Sequence, residues 1–203
     1  MISRLYEQLL EMRISKGTLP SCIAIVLSSG DLIEEGLCRL KEMIEWSGSI
    51  GLSSLVLYIN DTEPSLCQKI ADSLHSSPAQ ISLHTADEDL LTGLGGSLKV
   101  AVSLGYGGKR EVTEAFRDLL REVEEGRLDP EHINEEAIES RLRFSQKPDL
   151  VIRAGGKQLS DFMIWQAAYS ELYFTDVNWP KLRKIDFLRA IRDYQGRERR
   201  FGR

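Results

Sequence analysis

The sequence predicts a single α/β domain, residues 1–203, in which helices flank a mainly parallel sheet of six strands. Short apolar runs rich in β-branched residues alternate with longer amphipathic segments, the pattern of consecutive βαβ units. The chain has 203 residues, of which 42% are hydrophobic, so it can bury one sizeable core. No internal repeat or linker marks a second domain. We therefore expect parallel strands joined by right-handed crossovers.

Each element is predicted from its own local pattern. The six predicted strands are Ile23–Leu27, Leu52–Ile59, Ile81–His84, Leu98–Leu104, Leu150–Ile152 and a final strand that ends near Phe174. The predicted helices are residues 2–16, about 31–47, 64–74, 109–125 and 134–142, and one that begins after Ser160. In the helix from Lys109, the apolar face is predicted to hold Val112, Phe116, Leu119, Leu120 and Val123.

The stretch from Pro148 to Phe174 carries most of the functional information. Arg153 lies at the carboxyl end of a buried strand, and Gly155-Gly156 form a turn behind it. Ser160 is the predicted N-cap of the following helix, whose large side chains share one face. Ligands of open α/β sheets bind beyond the carboxyl ends of the strands, so Arg153 and the turn up to Ser160 suit a phosphate group.

Composition and charge exclude several classes of function. The formal net charge is −5, which argues against nucleic acid, although residues 181–203 contain nine Lys/Arg and three Asp/Glu. The longest apolar run, Cys22–Leu27, is too short for a membrane span, and the charged first twenty residues lack a signal-peptide core. We expect a cytoplasmic protein. The three cysteines and three histidines lack metal-ligand spacing, and the cysteines are predicted to be buried thiols.

Three segments carry a resemblance to a known family. They are PDLVIRAGG (148–156), LSDFMIWQAAYSELYFTDVNWP (159–180) and the terminal RERRFG (197–202). Together they resemble the carboxyl-terminal signature of cis-prenyltransferases, the undecaprenyl and dehydrodolichyl diphosphate synthases. The resemblance implies the fold of that family, a dimer, Mg²⁺, and chain elongation from isopentenyl diphosphate and an allylic primer.

The loop after the first strand departs from this family. Family members carry an Asp-Gly-Asn-Gly-Arg loop there, which binds metal and the allylic diphosphate. Here Ser28 stands at the aspartate position and the loop is shorter. Between Ser28 and Cys38 there are three carboxylates and no Lys, Arg or His. A pair of like charges at about 4 Å costs roughly 4 kcal/mol at an effective dielectric near 20, so we predict no allylic diphosphate site and no catalytic residue in this loop.

Part of the substrate machinery is retained under the resemblance. Arg153 and Ser160 match the isopentenyl diphosphate site, although its second arginine is absent. Arg153 has an alternative role as the partner of a helix or carboxylate at the sheet edge. Glu171 is the candidate metal ligand, and Arg200 and Gly202 match a tail, residues 196–203, that reaches into the partner's site.

An aromatic set is predicted to contact a second, homologous subunit. The set contains more aromatic side chains than a helix and a strand need for ordinary packing. Such side chains dominate the energetics of interfaces. The predicted interface residues are Phe162, Trp165, Tyr169, Phe174, Trp179 and Phe201, together with Leu172.

These observations favour a non-catalytic subunit of a heteromeric cis-prenyltransferase, similar to the Nogo-B receptor type. It would pair with a catalytic homologue in a heterodimer or heterotetramer that makes long-chain polyprenyl diphosphate. Mg²⁺ is expected in the assembled complex and no cofactor in the isolated chain. Peripheral membrane contact is expected through the lipid product. Two alternatives remain open: an active homodimer that uses Asp31 or Glu63, and a lipid-phosphate-binding or scaffold pseudoenzyme.

Overall fold

The computed structural model describes residues 2–61, 64–85, 89–156, 159 and 161–197. Its strands are β1 (Cys22–Leu27), β2 (Ser54–Ile59), β3 (Gln80–His84), β4 (Asp89–Thr92), β5 (Lys99–Leu104), β6 (Leu150–Ala154) and β7 (Glu171–Thr175). Its helices are α1 (Ile2–Ile14), α2 (Glu35–Ser49), α3 (Pro64–Leu74), α4 (Gly108–Glu124), α5 (Glu135–Glu139) and α6 (Lys184–Gln195). Short 3₁₀ helices span Ser29–Leu32, Pro130–His132 and Trp179–Lys181.

The strands form one sheet in the order β4-β3-β5-β2-β1-β6-β7. All neighbours are parallel except β4, which pairs antiparallel with β3. The predicted α/β class and mainly parallel sheet are therefore confirmed, but the sheet has seven strands where six were predicted. The missed strand, β4, is a short edge strand with mostly exposed residues. Such a strand lacks the alternating apolar pattern that identifies a half-buried one.

Strand β1 is the buried centre of the sheet. All six of its residues are buried, and it pairs with β2 on one side and with β6 on the other. Its side chains alternate between two cores: Ile23, Ile25 and Leu27 face one, and Ala24 and Val26 the other. A strand covered on both faces reads as a continuous apolar run, which is what CIAIVL shows.

The two cores differ in size. The larger one packs against α1, α2, α3 and α6. The smaller one contains β-strand residues together with Tyr106, Phe144, Phe162 and Met163. The predicted burial of the cysteines holds for Cys22, whose pKa is raised to about 11 by burial, but it is wrong for Cys38, which is exposed.

The predicted helix after Ser160 is wrong. Ser160 itself lies outside the described residues, and residues 164–169 form turns. Asp161 and Met163 have φ values of 39° and 23°, in the left-handed region that interrupts a right-handed helix. The Asp161 carbonyl accepts hydrogen bonds from the Tyr58 hydroxyl and the Gly108 N–H, so tertiary contacts hold this backbone against the local apolar spacing.

The predicted buried face of α4 is also wrong in part. The buried positions are Gly108, Glu111, Ala115 and Leu119, of which the last three are spaced four residues apart. Phe116 and Leu120 are exposed instead. The helix therefore presents a second, uncovered apolar stripe beside its buried one.

Trp179 fixes the position of α2 against the turn that follows β7. Its side chain is fully buried, and its Nε1–H donates to the Gly36 carbonyl at 3.0 Å. Gly36 is packed so closely that an added Cβ would lie 1.8 Å from the backbone oxygen of Asp31 and 3.3 Å from Trp179 Cδ1. Only glycine permits this approach.

We predict that Gly36→Ala destabilises the protein by about 3 kcal/mol or more, because the new methyl group meets backbone that cannot move aside. The matched control is Gly48→Ala in the same helix, where an added Cβ meets nothing within 4 Å. That change should be neutral or stabilising by up to about 1 kcal/mol. Denaturant unfolding of both variants checks this, and equal effects at the two positions would contradict it.

Candidate anion-binding edge of the sheet

Parallel pairing brings three loop segments to one edge of the sheet. Ser28–Asp31 follows β1, Asn60–Asp61 follows β2, and Arg153–Gly156 ends β6 and begins the next turn. The carboxyl ends of β1, β2 and β6 are adjacent, so these segments lie side by side. This is the edge at which open α/β sheets bind their ligands.

The Ser28–Asp31 segment is closed on itself. The backbone N–H and the hydroxyl of Ser28 both donate to Asp31 Oδ2, each at 2.8 Å. This arrangement caps the 3₁₀ helix that follows β1. Arg153 Nη1 lies 3.9 Å from the same carboxylate oxygen. The Asp31 carboxylate therefore accepts hydrogen bonds within its own loop, and it lies close to Arg153 of β6.

The next residue of this loop, Ser29, also has an acceptor for its backbone N–H. Asp61 accepts hydrogen bonds from the Ser29 N–H at 2.8 Å and from the Ser29 hydroxyl at 2.6 Å. The pKa of the Asp61 carboxyl is lowered mainly by the bond from the Ser29 hydroxyl and further by the bond from the Ser29 N–H. Two aspartates therefore take up the backbone N–H groups of Ser28 and Ser29.

A third carboxylate occupies the start of α4. Asp161 Oδ1 accepts from the Lys109 N–H at 2.7 Å, where the helix dipole also favours negative charge. A Cβ at Gly107 would lie 2.0 Å from Asp161 Oδ2, so a side chain there would displace the Asp161 carboxylate from its present position. Burial and the nearby Asp161 raise the pKa of Tyr58, whose hydroxyl bonds the Asp161 carbonyl.

Arg153 keeps unused capacity to bind an anion. Its Nη1 donates to the Val26 carbonyl at 2.8 Å, and its side chain is largely buried. Its Nε–H is buried and finds no hydrogen-bond partner among the described residues. The turn behind it depends on Gly155, which has a φ of 67° and donates to the Thr175 carbonyl at 3.0 Å. The predicted role of Arg153 as a carboxylate partner and its predicted role as an anion ligand are both compatible with this geometry.

The other predicted site residues are placed elsewhere. Glu171 begins β7, at the amino edge of the sheet, where it pairs with Arg197 at 3.0 Å. It is not brought together with Asp31, Asp61 or Arg153 in this chain. Thr62, Glu63, Ser160, Arg200, Phe201 and Gly202 lie outside the described residues.

The carboxylates at this edge do not fit a Mg²⁺ site. Asp31 and Asp61 are each bonded to a serine hydroxyl and backbone N–H, and Ser28 supplies no charge. In the described ranges, no group of three or more His, Cys, Asp or Glu is placed to hold a metal ion. Mg²⁺ is usually bound through one or two carboxylates together with waters and substrate phosphates, so Asp31 or Asp61 would have to give up serine hydrogen bonds to bind it.

The predicted interface set divides into buried and exposed members. Phe162 and Trp179 lie in the two cores of the monomer, so their prediction as interface residues is corrected: neither side chain is available to a partner. Tyr169 is 70% exposed, and Leu172 and Phe174 are exposed on the edge strand β7. Trp165 is half-buried, with Nε1 donating to Glu139 at 3.4 Å.

Sequence reasoning missed Glu111. This buried carboxylate accepts from the Phe144 N–H at 2.8 Å and from Gln166 Nε2 at 3.0 Å, and it thereby fastens two loops to α4. Burial raises its pKa. The available signal was its spacing of four and eight residues before Ala115 and Leu119, which places an acid on the buried stripe of the helix.

The mainly parallel sheet, with an arginine and a glycine turn at the carboxyl end of β6, defines the chain as an α/β protein of the open-sheet type. A family model described as "Putative undecaprenyl diphosphate synthase" matches residues 67–202. The tritrans,polycis-undecaprenyl-diphosphate synthase (geranylgeranyl-diphosphate specific) of Methanocaldococcus jannaschii is 30% identical, with 100% of this chain and 89% of that protein aligned. Isoprenyl transferase 1 of Corynebacterium efficiens is 35% identical, with 83% and 79% aligned. The chain therefore belongs to the cis-prenyltransferase (undecaprenyl diphosphate synthase) family.

Solved structures share the fold. Lavandulyl diphosphate synthase from Lavandula x intermedia, in complex with dimethylallyl diphosphate, superposes with a TM-score of 0.74 at 23% identity, covering 91% of this chain and 99% of that one. A probable undecaprenyl diphosphate synthase from Campylobacter jejuni gives 0.66 at 22% identity, covering 92% and 100%. The alignment with the Methanocaldococcus enzyme has 250 positions, which exceeds the 203 residues of this chain by 47, so that relative carries segments that this chain lacks.

We predict that Ser29→Ala raises the pKa of Asp61 towards its ordinary value, because the hydroxyl is the main group that lowers it. Nuclear magnetic resonance titration of the Asp61 carboxyl measures this directly. The remaining Ser29 N–H bond should keep part of the shift. Since the folded pKa lies below the unfolded one, the stabilisation is present above the unfolded pKa and is lost as pH falls through the folded pKa.

The control for this titration is Ser49→Ala, whose hydroxyl donates to the Trp46 carbonyl at the end of α2. It should leave the Asp61 pKa unchanged. An Asp61 pKa that is the same in wild type and Ser29→Ala would show that the hydroxyl bond does not form in solution.

Proposed function

We propose that this chain is a non-catalytic subunit of a heteromeric cis-prenyltransferase that makes long-chain polyprenyl diphosphate from isopentenyl diphosphate and an allylic primer. One observation carries the proposal: the N–H groups of Ser28 and Ser29, which follow β1, are already bonded to the carboxylates of Asp31 and Asp61. An allylic diphosphate would have to displace or approach both carboxylates. Each close pair of like charges costs roughly 4 kcal/mol at an effective dielectric near 20.

Mg²⁺ belongs to the partner in this proposal. The carboxylates of this chain that stand near Arg153 are engaged by serine groups, and Glu171 is at the opposite edge of the sheet. A homologous catalytic subunit with an intact Asp-Gly-Asn-Gly-Arg loop would bind the metal and the allylic primer. The similarity to the Nogo-B receptor type rests on this division of roles.

This chain would contribute to isopentenyl diphosphate binding in two places. The unpaired, buried Nε–H of Arg153 suits a phosphate oxygen, because a buried donor without a partner carries a desolvation cost that an anion would remove. Arg200 and Gly202, which lie outside the described residues, would complete the partner's site, where a glycine lets backbone N–H groups approach the diphosphate.

The exposed apolar side chains supply a surface for the partner. Tyr169, Leu172 and Phe174 are exposed at and beside the edge strand β7, and Phe116 and Leu120 are exposed on α4. Tyr is enriched among the residues that contribute most binding energy at protein interfaces, and aromatic side chains in general bury a large apolar area there. We propose that the partner subunit covers Tyr169 and Phe174.

Two other functions have observations in their favour. An active homodimer is favoured by the identity of 30–32% that the chain shares, over its whole length, with proteins named as synthases. A lipid-phosphate-binding or scaffold protein is favoured by a cavity of about 450 Å³ that leads off this edge. Its apolar wall includes Leu32, Leu37 and Leu66, and its polar lining consists of Ser29, Glu34, Ser65 and Lys69.

We predict that the purified chain gives no product above background with Mg²⁺, isopentenyl diphosphate and a farnesyl or geranylgeranyl primer. Added to a homologous subunit with an intact loop, it should raise that subunit's turnover. Robust turnover by the chain alone would support the homodimer, and the variants Asp31→Ala and Glu63→Ala would then identify which of the two carboxylates it uses. If the chain gives no product alone and does not raise the turnover of the homologous subunit, but does bind a polyprenyl phosphate, the result would support the lipid-phosphate-binding or scaffold function.

The Gly202→Ala variant of the mixed complex distinguishes two possible roles of the tail, which are to support catalysis in the partner and to hold the complex together. Loss of one charge-assisted contact to a buried anion corresponds to roughly ten- to a hundred-fold in rate. Turnover should fall by that factor at saturating subunit while association stays unchanged. Normal turnover of Gly202→Ala in a saturated complex would refute a role for the tail in the partner's site.

We predict that Tyr169→Ser combined with Phe174→Ser weakens association with the partner by at least tenfold, since both side chains would lose buried apolar area. Both are exposed in the monomer, so its melting temperature should change little. The control is Leu91→Ser with Leu94→Ser at the opposite edge of the sheet, where the side chains are 81% and 74% exposed, against 70% for Tyr169 and 39% for Phe174. Equal losses of association in the two pairs would contradict the assignment.

A further inference from the structure

Helix α1 carries two apolar stripes on opposite faces. Leu10 and Ile14 are buried and pack into the larger core beside α6. Leu5, Leu9 and Met12 are exposed by 62%, 46% and 58%. Their spacing of four and three residues places them on one face, and at about 100° per residue that face points away from the Leu10–Ile14 stripe. The outer stripe is therefore not part of the monomer core.

The charges around the outer stripe are of one sign. Arg13 and Lys16 are exposed at its carboxyl-terminal end. On one flank Tyr6 is exposed, and the Arg189 guanidinium of α6 lies 5.6 Å from the centre of its ring. The described carboxylates of α1, Glu7 and Glu11, are half-buried on the inner flank, and Glu11 pairs with Lys184 at 2.6 Å. The outer face thus combines apolar, aromatic and cationic groups.

We propose that the outer face of α1 binds the surface of a bilayer that contains anionic lipids. An amphipathic helix that lies in the interface plane places apolar side chains below the headgroups, and Lys, Arg and Tyr at their level. Anionic lipids attract each basic residue near the surface. Within the described ranges no helix is long and apolar enough to cross a membrane, so contact through α1 is made at the surface.

A lipid surface fits this face better than a second protein does. Three apolar side chains on a helix of 13 residues are few for a stable interface, which takes about 800 Å² from each partner. Binding to a bilayer requires no complementary shape, and both the apolar and the basic side chains of this face interact favourably with an anionic lipid surface. This inference does not depend on the proposed prenyltransferase role, because binding to lipid requires neither substrate nor partner subunit.

The test is flotation of the full chain with two kinds of vesicle, phosphatidylcholine alone and phosphatidylcholine mixed with phosphatidylglycerol. Wild type should float with the mixed vesicles, more weakly with the neutral ones, and less as salt is raised. Leu9→Gln combined with Met12→Gln should lower binding to mixed vesicles by more than about tenfold. Arg13→Gln combined with Lys16→Gln should lower it by about tenfold or more and remove most of the salt dependence.

The control is Leu91→Gln combined with Leu94→Gln, which removes two leucines that are even more exposed than Leu9 and Met12 and lie at the edge of the sheet formed by β4. It should bind vesicles as wild type does. Circular dichroism and thermal melting confirm that every variant is folded, as expected for exposed positions. Wild type that binds neither vesicle, or Leu9→Gln/Met12→Gln that binds as well as wild type, overturns the proposal. If instead light scattering shows a self-associated wild type that these α1 substitutions dissociate, without vesicle binding, the face is a protein interface.

Discussion

The parallel pairing of β1 with β2 and β6 is the constraint on which the rest of the structure depends. β1 is buried on both faces, so a shift of one residue would exchange the side chains that face the two cores. With the register fixed, the ends of β1, β2 and β6 must lie side by side. Each strand then turns into a helix or loop whose first backbone N–H groups need acceptors.

This chain satisfies those N–H groups with its own carboxylates. Asp31 binds Ser28, Asp61 binds Ser29, and Asp161 binds the first turn of α4. The same kind of N–H groups bind phosphate oxygens in other α/β proteins. Because these N–H groups have acceptors within the chain, they need no bound ligand. The same carboxylates leave this edge of the sheet negatively charged. Arg153 is the exception, since its buried Nε–H has no acceptor among the described residues.

The aromatic residues that lie close together in the sequence serve different purposes in the structure. Trp179 locks α2 through Gly36, and Phe162 packs edge-on against Tyr58 with ring centres 5.0 Å apart. Tyr169 and Phe174 remain outside. The interior members therefore pack within the two cores of the monomer, while the exterior members leave apolar surface exposed. The exposed stripe of α1 adds a second external surface, which has a different chemical character because cations surround it.

The sequence by itself determined the fold class, β1, β2 and β6, the position of Arg153 at the carboxyl end of a strand, and the substitution at Ser28. These follow from local apolar runs and from residue identity, which need no knowledge of neighbours. Tertiary structure alone decided that Phe162 and Trp179 are buried, that residues 161–169 turn instead of forming a helix, that α4 buries Glu111 and exposes Phe116, and that β4 exists. Periodicity shows that a segment has an apolar face, but packing partners distant in the chain select which face is covered. Contacts such as those of the Asp161 carbonyl with Tyr58 and Gly108 stabilise a backbone that local preference disfavours.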